Sequence, residues 1–240
     1  GHTLRLLQLL EAAIAAARTL GETYQPTLDF LLGKQGNIYF DRGALPEALA
    51  AYRGALDVAR ALDRRNRQPL LLCAIGKVLS AQNATEQAEA HFAEAAQIAH
   101  ELDDKFLLGF VLEHQGYHAQ STGNYEAARD YFGQEIAIAA AIDDALTQFY
   151  ALLNYGSAEH ELNHYESALE YHNRALTIAE NLNNPILIAL AIQNKGEDYV
   201  RLGNGDEALT HFNRALAIFR ESGMQSKARE VEDLLRNLAN

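Results

Sequence analysis

Two hundred and forty residues and 26.5 kDa suffice for one large domain or two small ones. Apolar residues at 48% and charged residues at 22% exclude a disordered chain, and four prolines with no tryptophan favour helices over sheet. Twenty basic against 32 acidic residues, net −12 with a pI near 5.2, exclude nucleic acid or an anionic membrane as the main partner and leave proteins, peptides and neutral ligands.

One cysteine, Cys73, allows neither an internal disulfide nor a cysteine metal cluster, and it suits a reducing, cytoplasmic setting. The apolar run from Ile186 to Ile192 is far too short to cross a bilayer. Gly1-His2 reads as a cloning remnant, so the sequence is expected to be a piece of a longer protein. Residues 3–20 are rich in Leu and Ala, but they are amphipathic and interrupted by Glu11, unlike a signal peptide. Ala13, Ala17 and Leu20 align with Ala55, Ala59 and Leu62, which lie in the second helix of the repeat that follows. Residues 3–28 are therefore read as half a repeat. Their Leu6, Leu10, Ala13 and Ala17 face is left for a second copy of the chain, or a preceding helix, to cover.

From there the chain repeats itself. Gly36, Gly76, Gly116, Gly156 and Gly196 are spaced by 40 residues. In register with them run Leu32, Leu72, Leu112, Leu152 and Ile192, then Ala48, Ala88, Ala128, Ala168 and Ala208. Further columns are Tyr52, Phe92, Phe132, His172 and Phe212, and Val58, Ile98, Ile138, Ile178 and Ile218. A fifth runs Ala55, Ala95, Glu135, Ala175 and Ala215. This gives five repeats, 29–68, 69–108, 109–148, 149–188 and 189–224, each reading as two antiparallel helices. Turn residues such as Asp41-Arg42-Gly43 and Gly203-Asn204-Gly205 separate the two helices of a repeat. Leu62-Asp63, Asp103-Asp104, Asp143-Asp144 and Asn183-Asn184 separate repeats, and their side chains can accept from the free amides opening the next helix. Pro26, Pro69 and Pro185 mark helix starts. Glycine and alanine columns let helices approach closely, with the aromatic filling the space beside that contact. Residues 225–240 carry an apolar stripe of Val231, Leu234, Leu235 and Leu238 among charges, a capping helix. The expected architecture is one all-α domain: half a repeat, five repeats and a cap, stacked as a solenoid.

The large residue before Gly, Tyr199 after Gly196, and the Ala and aromatic columns beyond resemble the tetratricopeptide repeat (TPR), over residues 29–222. The resemblance implies a right-handed superhelix of helix pairs that binds proteins or peptides without catalysis or cofactor. Leu or Ile stands in place of the family's tryptophan, the closing proline is missing, and the unit is longer than usual. The longer unit is similar to those of Pins-type adaptors, kinesin light chains and the sensor arms of bacterial signalling ATPases. The resemblance also implies that first helices line the binding groove, whose exposed columns hold Lys34, Asn37, Lys77, Phe110, His114, Tyr117, Tyr150, Asn154, Asn194 and Arg201. Aromatic rings, amides and mixed charges there suit a peptide or a partner helix. The family's carboxylate clamp is not matched, because Gly33 and Ala74 stand where Lys and Asn would be. Read as a whole, the chain is a non-catalytic interaction module, with the sensing or regulatory arm of a larger signalling ATPase or transcription regulator as the alternative.

Two smaller features bear on chemistry. His114 with His118, and His160 with His164, lie four apart, yet no metal motif flanks them, so no metal is expected. Glu135 in an alanine column and His172 in an aromatic column are expected to be solvated by a slight roll of their helices. No nucleophile turn or phosphate loop is present, and no enzyme is expected.

Overall fold

The computed structural model describes residues 2–238, the side chains of residues 2–4, 22, 23, 25 and 26 excepted. Among the described residues there are twelve α-helices, one 3₁₀ turn (Gly21–Tyr24) and no strand. The helices are α1 (His2–Thr19), α2 (Gln25–Asp41), α3 (Leu45–Ala61), α4 (Gln68–Ala81), α5 (Thr85–Glu101) and α6 (Lys105–Ser121). The remainder are α7 (Tyr125–Ala141), α8 (Ala145–Glu161), α9 (Tyr165–Asn181), α10 (Pro185–Arg201), α11 (Gly205–Glu221) and α12 (Gln225–Leu238).

A left-handed residue stops each helix from α2 to α11. Gly43, Asp63, Asn83, Asp103, Gly123, Asp143, Asn163, Asn183, Gly203 and Gly223 all have positive φ. The carbonyls of the last turn are then met from beyond the helix, as when Gly43 N–H donates to Phe40 O at 2.8 Å and Ala44 N–H to Tyr39 O at 2.9 Å. Only Gly, Asn and Asp occupy these places, the residues that reach positive φ most readily.

At the helix starts, Leu107 N–H donates to Asp104, Thr147 N–H to Asp144 and Leu187 N–H to Asn184, at 3.0, 3.0 and 3.3 Å. Asp63 does no such work. Helix α4 begins only at Gln68, and the intervening Arg64 and Arg67 turn toward the fully buried Asp29 of α2, at 2.7 and 3.2 Å. A buried carboxylate needs such partners, and this pair draws the turn away from the capped geometry used elsewhere.

The chain divides into two compact units, residues 1–122 and 123–240. In the first, α1 to α6 share one core running from Ile14 and Ala17 of α1 through Leu32, Tyr52, Leu72 and Phe92 to Val111. In the second, α10 has a role on two sides. Leu187 and Ala191 join Phe149, Leu152 and Ala175, while Ala189 and Ile192 join Phe212, Phe219 and Val231 of α12. On α1 the buried face is Leu7, Ile14 and Ala17; Leu10 and Ala13 are half-buried, and Leu6 and Leu9 are exposed.

The glycine column meets the aromatic column directly. A Cβ on Gly36 would lie 2.6 Å from the Tyr52 ring, on Gly76 2.6 Å from Phe92, and on Gly196 2.5 Å from Phe212. The alanines beside them, Ala48, Ala88, Ala168 and Ala208, are fully buried. The expected roll of the helices does not occur. Glu135 and His172 are each 1% exposed. His172 stays inside because Asp198 gives it a buried partner and Gly156 leaves room for its ring, Nε2 lying 2.5 Å from where a Cβ would stand.

Candidate functional site

First helices α2, α4 and α6 of the first unit, and α8 and α10 of the second, carry the predicted groove residues. Their inward positions are spent on leucine, isoleucine and glycine contacts, which leaves the other faces to polar and aromatic groups. Lys34, Asn37, Lys77, Tyr117 and Arg201 are exposed, while Phe110, His114, Asn154 and Asn194 are half-buried. Tyr150 stands 37% exposed, edge-on to Phe149.

The structure gathers several of these into distinct hollows. Lys77, His114 and Tyr117 line a cavity of about 490 Å³ in the first unit, together with Phe40, Ser80, Ala81, Phe92, Glu113, His118 and Ser121. Lys34 and Asn37 border a smaller one of about 190 Å³ with Phe30, Gly33, Tyr52, Arg67, Leu70, Leu71 and Ala74. In the second unit Arg201 borders a hollow of about 330 Å³ with His160, Glu197, Val200, Phe212 and the end of α12. Phe110 does not line the 490 Å³ cavity, but its ring packs 4.3 Å from that of His114. Tyr150, Asn154 and Asn194 follow along α8 and α10.

Local contacts set the posture of these groups. Lys34 Nζ lies over the Phe30 ring at 5.3 Å, and Lys77 Nζ over the Phe40 ring at 4.5 Å. The Tyr52 hydroxyl donates to Asn37 Oδ1 at 2.6 Å, so the amide of Asn37 is oriented from the core. Burial, with Asp41 nearby, pushes the Tyr52 phenol up to about 12. Arg201 is held on the Tyr165 ring, its guanidinium carbon 4.8 Å from the centroid, and donates to Asn163 Oδ1 and the Tyr165 hydroxyl.

The 490 Å³ cavity is rich in titratable groups under desolvation. Burial raises the Glu113 carboxyl against the opposing pull of Lys77. Burial lowers His114, with Lys77 adding to the effect, and lowers His118 despite Glu89. Sequence reasoning passed over Phe40, Ser80 and Glu113, and weighed His118 only for metal. Phe40 and Ser80 stand four residues after the repeat glycine and His118 two after, positions outside the columns chosen for the groove.

Each of the four paired histidines has its own partner. His114 bonds Phe110 O, His118 Ser80, His160 Asp198 and His164 Glu159. Among the described residues no three His, Cys, Asp or Glu side chains come together to hold a metal, and no helix is long and apolar enough to cross a membrane.

Tandem helix pairs closed by a glycine-on-aromatic contact, with polar and aromatic faces on the first helices, define a helical-repeat protein. The tetratricopeptide-repeat family model matches residues 27–101 and 108–181, and the chain belongs to that family. A comparison with curated protein sequences finds no match. Among solved structures the fold is similar to BtubC (BKLC) from P. vanneervenii, at 17% identity and TM-score 0.82 over 93% of each chain. It is similar to the STAND protein with a tetratricopeptide repeat sensor from Pyrococcus horikoshii, at 15% identity and TM-score 0.78, over 87% of this chain and 32% of that one. It is also similar to aspartyl phosphate phosphatase F from Bacillus subtilis, at 18% identity and TM-score 0.77, over 87% of this chain and 55% of that one. These likenesses establish the fold alone.

Proposed function

We propose that this chain acts by binding, as a protein-interaction module that seats a peptide or a partner helix on the faces of its first helices. The observation that carries the reading is the division of labour within each helix pair. Second helices devote Ala48, Tyr52 and Ala55, and their counterparts, to the core, whereas first helices keep Lys34, Asn37, Lys77, Tyr117 and Tyr150 at the surface. Amides and charges there can bond a peptide backbone, and rings can take its side chains. An acidic chain, net −12, favours partners with basic or neutral surfaces.

The test is a peptide library selected on the chain, followed by calorimetry of the selected peptide. Tyr150→Ala with Asn154→Ala, and Lys34→Ala with Asn37→Ala, should leave helicity intact. At least one pair should weaken binding by about 1–2 kcal/mol per anchor. Unchanged affinity in both double variants would place the partner elsewhere and overturn the reading.

A second reading makes the chain the sensing or regulatory arm of a larger signalling protein. Its support is the likeness to the tetratricopeptide sensor of the archaeal STAND protein, of which the matched part is 32%. A nucleotide-dependent change in peptide affinity, measured in the parent protein, would favour it.

A further inference from the structure

The 490 Å³ cavity between α2, α4, α5 and α6 can be read for its occupant, because the hydrogens around it can be assigned. Its size lies within the range of about 300–1,000 Å³ typical of pockets for small ligands and large side chains. Phe40 and Phe92 give it an apolar wall.

Its polar groups are mostly committed as acceptors. The Ser121 hydroxyl donates to His118 O at 2.8 Å, and the Ser80 hydroxyl donates to Gly76 O at 2.9 Å. Assigning its one proton to Gly76 O makes Ser80 Oγ the acceptor and His118 Nδ1–H the donor, at 2.6 Å. His114 Nδ1 faces Phe110 O at 2.9 Å, an acceptor, so this nitrogen also carries the proton. In both neutral rings Nε2 is then a bare lone pair. His118 Nε2 is the sharper case, since its residue is 6% exposed and this atom is buried with no hydrogen-bond partner, Glu89 Oε1 being 3.9 Å away.

Charge narrows the choice. Lys77, resting on Phe40, disfavours a cation, and Glu113 with Glu89 disfavours an anion. What remains is a neutral group with a flat apolar body and a hydrogen to give.

We infer that this cavity seats an aromatic side chain bearing one N–H or O–H donor, a tryptophan or tyrosine of the bound peptide. The inference rests on the interaction-module reading and names the anchor that such a peptide would carry. Phe40 and Phe92 take the ring, and a histidine Nε2 accepts the hydrogen.

Four capped tripeptides, acetyl-Gly-X-Gly-amide with X as Trp, Tyr, Phe or Leu, test it on the full chain by calorimetry. The chain has no tryptophan, so emission from the Trp probe reports the probe alone. Trp and Tyr probes should bind about tenfold more tightly than Phe, the worth of one hydrogen bond to a buried acceptor. His118→Phe and His114→Phe remove the two acceptors, and the Trp-over-Phe preference should disappear in at least one of them. Ala81→Phe, at an exposed place on the rim, should abolish Trp binding without lowering the unfolding midpoint.

Equal binding of Trp and Phe probes overturns the proposal, as does Trp binding that survives Ala81→Phe. Tighter binding of the Trp probe when its carboxylate is left free would assign the cavity to an anion on Lys77 and overturn it too. A library peptide that binds while the Trp probe does not would sink this pocket and leave the interaction module standing. Failure of the library with success of the Trp probe would do the reverse.

Discussion

His172 on α9 and Asp198 on α10 meet in the interior, Nδ1 2.6 Å from Oδ2, with neither residue more than 1% exposed. The other oxygen of Asp198 faces His160 Nδ1 at 2.7 Å, and His172 Nε2 faces Leu153 O at 3.3 Å. Where Tyr52, Phe92 and Phe212 put a ring on the repeat glycine, this repeat puts an imidazole. Val78 stands 26 residues after Tyr52, and Asp198 stands 26 after His172. A polar pair has replaced an apolar one in the same packing position.

His172→Phe should therefore destabilise the chain by about 1–3 kcal/mol, since it leaves a buried carboxylate oxygen without its partner. Adding Asp198→Val places an aromatic ring and a valine in the register of Tyr52 and Val78 and should recover much of the loss. Urea unfolding of the two single variants and the double variant measures the coupling. Simple additivity would show that the contact contributes nothing of its own.

The glycines of the chain should divide into two classes. Gly196→Ala puts a methyl 2.5 Å from the Phe212 ring, and the overpacking should cost about 1–3 kcal/mol. Gly54 lies inside α3, where a Cβ would meet only Leu32 Cδ1 at 3.5 Å. Gly54→Ala should gain up to about 1 kcal/mol from helix propensity. Opposite shifts of the thermal midpoint are the expected result.

The left-handed stops make a further pair. Asp143 holds φ at 56°, a conformation costly to any residue with a Cβ, so Asp143→Gly should stabilise by about 0.5–1 kcal/mol. Gly203 holds φ at 76°, and Gly203→Val should cost about 1–2 kcal/mol or more. Thermal melts of both variants decide the matter.

Stability should fall in mild acid through the cavity histidines. Burial holds His114 and His118 below the ordinary imidazole value of 6.5. The unfolded chain takes up protons at that value, whereas the folded chain resists them. Their stabilising effect is thus fully present above it and is lost as the pH falls toward their folded values. Unfolding free energies at about pH 7.5 and about pH 5 should converge in a His114→Phe, His118→Phe variant relative to wild type. Glu113 has the opposite sign, because burial raises it. Glu113→Gln should stabilise near neutrality, and the gain should fade in acid.

The repeat glycines, alanines and aromatics made the helix pairs and their turns legible in the sequence. Helix periodicity and close packing act through residues near one another in the chain, and each repeat restates them. Caps were readable for the same reason at Asp104, Asp144 and Asn184. The candidate groove residues came from the family resemblance, which assigns the non-core positions of the first helices to a binding face.

Which of those residues share a hollow could not be read from spacing. Lys77, His114 and Tyr117 come together with Phe40 and His118 only because α2, α4 and α6 stack, and the rims of neighbouring repeats are set by side-chain volume and angle. The buried polar groups were least visible of all. Glu135 and His172 look like breaks in their columns, and Asp29 looks like an ordinary surface acid. Arg64 and Arg67 for Asp29, and Asp198 for His172, lie at least 26 residues away in sequence. Sequence by itself determined the repeat, the helices and their stops, because those depend on local spacing. Tertiary structure alone decided which charges lie inside and which side chains enclose a cavity, because desolvation is set by neighbours from distant parts of the chain.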